Sequence, residues 1–536
     1  MKKYILLVII LLASILRLYK LGANPPSLYW DEASLGYNAY SILKTGHDEH
    51  GKFLPLTNFA AFGDYKPPGY IYAAVPSIAL FGLSEFAIRF PSAFFGILTV
   101  FLTYLVARKL FENETIALLA SFFLAISPWH LQFSRAAFEA NLGLFFSTLG
   151  IFLFLKFATE KSIYIFPSAL SFLAGMYTFT GQRLFVPFIL LVLIIYFKKQ
   201  IIAHLTIVTI TALVSAILFW PLFVFSTQTI EGRLRFNEVT IFKDLEPINQ
   251  SVKYRQRDKF AWWSAVIHNR RLFYAHSYLI HYFDAASPSF LFTRGDVNPR
   301  LSIQEVGELY YLDLFLILAG IYFLFARKQK YRWLIIGWLL VSPLGPATAR
   351  ETPHALRMIH ILPTFQLISA FGFFHLFKII KFKKLFTAAV SLLLIINIFF
   401  YLHMYYVHWP RIYASEWQYG YKQAVEAIKP FYKDADYIIV TKSLGRPYIY
   451  FLLYLKYPPQ QFQQNSQIVK DKFFFLDVSS FDKFRFVNSL DDIKVSGNII
   501  YVMPEESMPP GAQIVTDIKN LEGKIIFRIS QLRKTQ

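Results

Sequence analysis

S-L-Y-W-D-E-A-S-L-G-Y-N-A-Y, residues 27–40, sets two adjacent acids, Asp31 and Glu32, just beyond the first hydrophobic run and beside Tyr29 and Trp30. Desolvating a carboxylate at a membrane boundary is costly, so an acid there faces a polar cavity or a partner. The pair is therefore either a functional site or a solvated loop pair beside interfacial aromatics. Neighbours on a helix point about 100° apart. Only one of the two can face a cavity squarely, and we assign Asp31 inward with Glu32 in support.

The surrounding chain is that of a polytopic membrane protein. Its 536 residues are 55% hydrophobic and 16% charged, with a mean hydropathy of +0.41, and apolar runs of membrane-spanning length recur. The net charge of +20 does not mark a nucleic-acid binder, because Lys and Arg fall in short clusters between hydrophobic runs, the pattern of cytoplasmic loops. There is no cysteine, which excludes disulfides and thiolate metal sites and leaves only O and N ligands for a metal.

Lys2 and Lys3 precede an apolar run from Tyr4 to about Leu18, with no small-residue cleavage pattern after it. This reads as an uncleaved first helix leading outward from a cytoplasmic N-terminus. An outer loop, 23–87, contains the apolar stretch 69–82, too short to cross and read as an interfacial helix. Spans follow at about 88–107, 115–128, 139–155, 163–180, 184–197 and 201–225. A long polar outer loop, 226–308, separates these from spans at about 309–326, 333–346, 357–377 and 385–406. With about eleven spans, every basic cluster lands on one side of the membrane. From 409 to 536 the composition changes to short β-rich runs, Tyr437 to Thr441, Lys472 to Val478, Asn498 to Met503 and Lys524 to Ile529. The expected architecture is an α-helical polytopic membrane domain, 1–408, and an extracytoplasmic α/β or α+β domain, 409–536.

Four polar clusters fall on the outer face. Besides Asp31 and Glu32, G-D-Y-K-P-P, 63–68, holds Lys66 on a proline-limited backbone with Asp64 as an ion-pair partner. The alternative is a turn with a snorkelling lysine. S-R-A-A-F-E, 134–139, sets Arg135 and Glu139 four apart, on one face if helical. A-R-E-T-P-H-A-L-R, 349–357, carries Arg350, His354 and Arg357, suited to charge-assisted phosphate binding or to lipid headgroups. No Walker-type or G-x-G-x-x-G phosphate cradle is present. Asp434-Ala435-Asp436 spells D-x-D but reads as a solvated turn.

The order of W-D-E in the first outer loop, K-P-P before an interfacial helix and S-R-x-x-x-E at the fourth span resembles the GT-C membrane glycosyltransferases. Their protein O-mannosyltransferase and lipid A aminoarabinose transferase branches are the most similar. H-A-L-R followed by Pro363, and R-G-D-x-N-P-R at 294–300, also look familial. The resemblance covers about residues 1–406. It implies a polyprenyl-phosphate-linked sugar donor and inversion at the sugar, with a hydroxyl acceptor on a lipid, glycan or protein. A nucleotide sugar is not implied. By position, Asp31 resembles the acid that orients or deprotonates the acceptor, with Glu32 and Glu139 as further catalytic acids. Lys66 and Arg135 resemble cations that bind the lipid phosphate, and Arg350, His354 and Arg357 fall in a loop that contacts it. Asp31, Asp64 and Glu139 are oxygen ligands for a divalent metal ion such as calcium or magnesium, or are neutralised by Lys66 and Arg135. The aminoarabinose enzymes carry an acid directly before the K-P lysine, where this chain has Tyr65. The competing reading is a lipid or sugar transporter, which needs acids at mid-membrane and an inverted repeat. The acids here cluster at one face and no repeat is evident.

Overall fold

The computed structural model describes residues 2–470, 476–492 and 495–533. The apolar runs form helices, because a backbone in lipid must satisfy its own polar groups. Four helices are long and apolar enough to cross a membrane: Glu85–Phe111, Glu139–Thr159, Leu205–Gln228 and Lys383–Ile412. Two bent pairs, Glu114–Ile126 with Pro128–Arg135 at 57° and Ala355–Ile361 with Thr364–Ile379 at 52°, bring the number to six if each is one span. Pro128 and Pro363 stand at the two breaks, where the ring prevents the helix from continuing. The chain is a multi-pass membrane protein. Other expected spans fall on shorter apolar helices such as Gln182–Tyr196 and Tyr311–Ala326. The stretch read as an interfacial helix is helical over Pro68–Phe81.

Where the sequence suggested a boundary at 408/409, contacts divide the chain into two interleaved units. One comprises residues 1–17, 92–134 and 138–401; the other comprises 18–91, 135–137 and 402–536. In the first, helices Tyr311–Ala326 and Thr364–Ile379 cross backbone to backbone. A Cβ on Gly320 would lie 2.1 Å from the Ile368 carbonyl oxygen, and one on Gly372 would lie 2.2 Å from that of Leu316. This is the close small-residue packing that stabilises helix pairs in lipid. The 226–308 segment, expected as a polar loop, is largely helical, including Ile230–Val239, Glu246–Arg257 and Arg270–Asp284.

In the second unit a seven-stranded mixed sheet runs in the order Gln467–Lys470, Leu476–Phe481, Phe484–Val487, Tyr437–Thr441, Ile499–Met503, Ile525–Leu532, Gln513–Lys519. Tyr437–Thr441 pairs in parallel with both of its neighbours and is buried over four of its five residues, as a central strand covered by helices should be. Residues 472–475 of the expected run Lys472 to Val478 lie outside the described residues. The outer-loop helix Trp30–Thr45 belongs to this unit, where the Tyr37 hydroxyl donates to the Tyr457 carbonyl at 2.9 Å.

Candidate active site

The site is built first on the helix Trp30–Thr45. Glu32 accepts from the Tyr29 backbone N–H at 3.3 Å, the return half of a capping box that fixes where the helix begins. Asp31 and Glu32 then diverge as helical geometry requires. Asp31 is a quarter exposed and its Oδ1 lies 3.2 Å from Lys66 Nζ. Lys66 is delivered by the hairpin Phe59–Ala61/Asp64–Lys66. Its two-residue turn, Phe62-Gly63, has both residues at positive φ, 56° and 86°, the conformation that matches strand twist and that glycine adopts freely. Pro67 and Pro68 follow and start the next helix. The expected proline-limited lysine is thus held against Asp31 and, at 2.9 Å, against Asp64 Oδ2.

Asp64 is corrected as a metal ligand. The Lys66 ammonium bridges the two carboxylates, at the position a divalent cation would have to take. Among the described residues no three His, Asp or Glu side chains converge to hold a metal. The residues present do not fit a divalent ion. At Asp434-Ala435-Asp436, Asp436 accepts from the Asn498 backbone N–H at 2.8 Å, a turn contact.

Glu32, expected as a catalytic acid, lies in a buried ion pair. It is fully buried, as is Arg89, and the two are joined at 2.9 Å through Nε–Oε1 and again at 2.9 Å through Nη2–Oε2. The Ala137 N–H also donates to Glu32 Oε1, at 2.8 Å. That bond explains a second correction. Arg135 closes the helix Pro128–Arg135 and Glu139 opens Glu139–Thr159, so the two do not share a helix face. The Ala137 N–H that would continue the first helix is taken by a carboxylate instead.

Arg135, expected as a phosphate ligand, is turned onto carbonyls of the chain. It is 1% exposed; its Nη2 donates to the carbonyls of Tyr19 at 2.7 Å and Asn24 at 3.1 Å, and its Nε donates to the Tyr405 hydroxyl at 3.1 Å. Arg89 was not singled out from the sequence. A cation inside the apolar stretch F-A-I-R-F-P, 86–91, is the signal that identifies it.

The first unit carries the cationic loop. Arg350 is pinned by its backbone, its N–H donating to the Val239 carbonyl at 2.8 Å and its Nε to Thr240 at 3.2 Å. His354 faces Asp296, with Nδ1 at 3.8 Å from Oδ2, a placement against a carboxylate of the chain itself. Arg357 donates to the Glu351 carbonyl at 3.0 Å and lines a mostly apolar cavity of 290 Å³ with Arg183, Phe179, Leu184 and Phe236. Arg183 was also not anticipated. It donates to Ser226 Oγ at 3.2 Å, and its buried Nη2 has no hydrogen-bond partner among the described residues. A buried guanidinium nitrogen with an N–H to spare can serve an anion. Burial pushes the Asp296 carboxyl up to about 6 and holds Glu308 well above the usual carboxylate range.

Comparison with known proteins bears on the fold. Residues 7–220 match the family model described as dolichyl-phosphate-mannose-protein mannosyltransferase. An uncharacterised protein of Aquifex aeolicus strain VF5 is 31% identical over 172 residues, 32% of each chain. ArnT from Cupriavidus metallidurans is 11% identical over 99% of both chains, with TM-scores of 0.58 in the apo state and 0.56 bound to undecaprenyl phosphate. The Archaeoglobus fulgidus oligosaccharyltransferase, solved with a tethered acceptor peptide, is 15% identical with a TM-score of 0.52 over 84% of this chain. The match spans about a third of the Aquifex relative's length and 63% of the oligosaccharyltransferase. The fold is the GT-C fold, and the resemblance drawn from W-D-E, K-P-P and S-R-x-x-x-E is borne out.

Proposed function

We propose that this GT-C-fold, PMT- and ArnT-like membrane protein is an inverting glycosyltransferase. It moves a sugar from a polyprenyl-phosphate donor to a hydroxyl on a lipid, glycan or protein acceptor at the non-cytoplasmic face of the cell membrane. The observation that carries the reading is the Asp31–Lys66–Asp64 arrangement. A partly exposed carboxylate stands 3.2 Å from a lysine ammonium that a proline-flanked hairpin fixes in place.

An acceptor hydroxyl needs a positioned base to lose its proton as its oxygen attacks the anomeric carbon; Asp31 takes that proton. The bond from the anomeric carbon to the phosphate oxygen breaks on the opposite face, which inverts the sugar, and the polyprenyl phosphate leaves as an anion. Lys66 supplies positive charge fixed in advance, which stabilises developing negative charge better than mobile water does. Taken within its own unit, the mostly apolar cavity lined by Arg183 and Arg357 suits a phosphate that carries a hydrocarbon tail. The undecaprenyl phosphate bound to ArnT supports that donor class. Glu139, in the first turn of its helix, is retained as an auxiliary acid. The N-terminus is placed in the cytoplasm and the sheet-containing C-terminal region outside, following the basic clusters.

The test is incubation of the purified protein with labelled polyprenyl-phosphate sugars and cell-envelope extract, with Asp31→Asn as the control. Label transfer by the wild type and its loss in the variant is the expected result. Equal transfer by both removes Asp31 from the base role.

A further inference from the structure

R-G-D-V-N-P-R, 294–300, is the one motif that the proposed chemistry leaves unexplained. Gly295 has φ +77°, and a Cβ there would lie 2.7 Å from Ser302, so only glycine allows the turn. The turn buries Asp296 to 1% exposure and ties down its main chain. The Asp296 N–H donates to Glu308 Oε1 at 3.1 Å, and its carbonyl accepts from Gln304 Nε2 at 2.6 Å and Ser302 Oγ at 3.1 Å. The carboxylate thus held accepts the Asn298 N–H at 2.8 Å on Oδ1 and the Ala355 N–H at 2.6 Å on Oδ2.

Ala355 is the first residue of the short helix Ala355–Met358, and His354, which precedes it, makes no side-chain cap. Asp296 therefore caps this helix from 59 residues away. The other side of the same residue is also clamped, because Trp129 Nε1 donates to the Ala355 carbonyl at 3.2 Å. Arg357, two residues on, lines the cavity. The charged groups acting on the Asp296 carboxylate include Arg357, Glu351 and His354, with Glu308 on its N–H.

We propose that Asp296 is a positioning residue for the donor phosphate. Its carboxylate fixes the Ala355 peptide and thereby the place from which Arg357 reaches the anion. This rests on the reading of the Arg183/Arg357 cavity as the donor-phosphate site.

The experiment titrates undecaprenyl phosphate into the detergent-solubilised full chain, with Asp296→Asn, Arg357→Ala and the double variant, and repeats the variants in steady-state transfer. Asp296→Asn keeps the shape but loses the charge-assisted bond. It is expected to weaken binding roughly tenfold and to raise the donor KM while leaving the acceptor KM unchanged. The double variant is expected to bind no worse than Arg357→Ala alone, since both act through one guanidinium. Wild-type affinity in Asp296→Asn, or additive losses in the double variant, overturns the proposal while leaving the function intact. Absence of binding by the wild type overturns both. Should Asp296→Asn not be recovered folded, Trp129→Phe releases the other half of the clamp. It is expected to weaken binding non-additively with Arg357→Ala, and unchanged affinity in it also overturns the proposal.

Discussion

Asp31 and Glu32 are neighbours in sequence, and the structure predicts opposite consequences for removing their charges. Asp31→Asn removes a carboxylate that is a quarter exposed, and Lys66 keeps Asp64 at 2.9 Å. No buried charge is stranded, and a pair this close to solvent contributes about 1 kcal/mol or less to stability. The expected result is an unchanged melting temperature with turnover reduced by about 10²- to 10⁴-fold, the range for loss of a general base. Glu32→Gln instead leaves the fully buried Arg89 without its counter-charge and turns an amide toward a guanidinium that formerly met two oxygens, both at 2.9 Å. Breaking a buried pair from one side costs about 3–5 kcal/mol. Glu32→Gln should therefore melt markedly lower, with loss of activity following loss of folded protein. The double variant Glu32→Gln/Arg89→Met should recover only part of the stability. It removes the stranded charge but also the donors to the Leu21, Pro25 and Ser27 carbonyls. Scanning fluorimetry in detergent beside sugar transfer at a temperature where every variant is folded separates the two effects. If Glu32→Gln melts like the wild type and loses turnover like Asp31→Asn, the assignment of Glu32 to structure is refuted.

Three further outcomes follow from particular contacts. Burial pushes the Glu49 carboxyl from 4.5 to about 8, so the folded protein holds a proton between those values that the unfolded chain has lost. Its contribution to stability is present below pH 4.5 and is lost as pH rises toward 8, at about 1.4 kcal/mol per pH unit and about 5 kcal/mol in all. Glu49→Gln should flatten that slope in melts recorded from pH 5 to 8, and an unaltered slope would show that another group causes it. Arg183→Ala should weaken undecaprenyl phosphate binding by roughly 10- to 100-fold, as expected for loss of a charged hydrogen bond, with equal affinity in titration counting against the cavity. Because the Lys66 ammonium bridges Asp31 and Asp64, strong chelation should leave turnover unchanged, and recovery of a chelated enzyme by added calcium or magnesium would reverse the metal correction.

The membrane class and the placing of Asp31 were legible because each rests on short-range rules. Hydropathy and basic clusters report spans, and the K-P-P backbone and the step between adjacent helical residues constrain where Lys66, Asp31 and Glu32 point. Asp31 and Lys66, 35 positions apart, were expected together and lie 3.2 Å apart. The partners of Glu32, Arg135 and His354 were not legible, because each depends on which group a distant segment brings to it. Helical periodicity turns Glu32 away from Asp31 but does not identify Arg89 as what it meets. His354 and Arg357 sit in one short motif, yet Asp296, 59 residues upstream of the Ala355 that lies between them, gives them different surroundings.

The burial of Arg89 and Arg135 has a common cause. The first helix ends at Leu18, leaving carbonyls without intrahelical partners, and the following segment, 19–27, contains Pro25 and Pro26 and forms no helix or strand. Buried carbonyls in such a segment need donors from elsewhere. Arg89 takes those of Leu21, Pro25 and Ser27, and Arg135 takes those of Tyr19 and Asn24. A guanidinium suits the task because its five fixed N–H groups can serve several carbonyls at once, which a lysine cannot do with comparable geometry. Glu32 then balances the charge of Arg89 and, from the same carboxylate, closes the start of the helix that carries Asp31. Arg89 and Arg135 thus hold the irregular approach to the W-D-E motif, and the partly exposed Asp31 is fixed in position by a neighbour that is itself held in a buried ion pair.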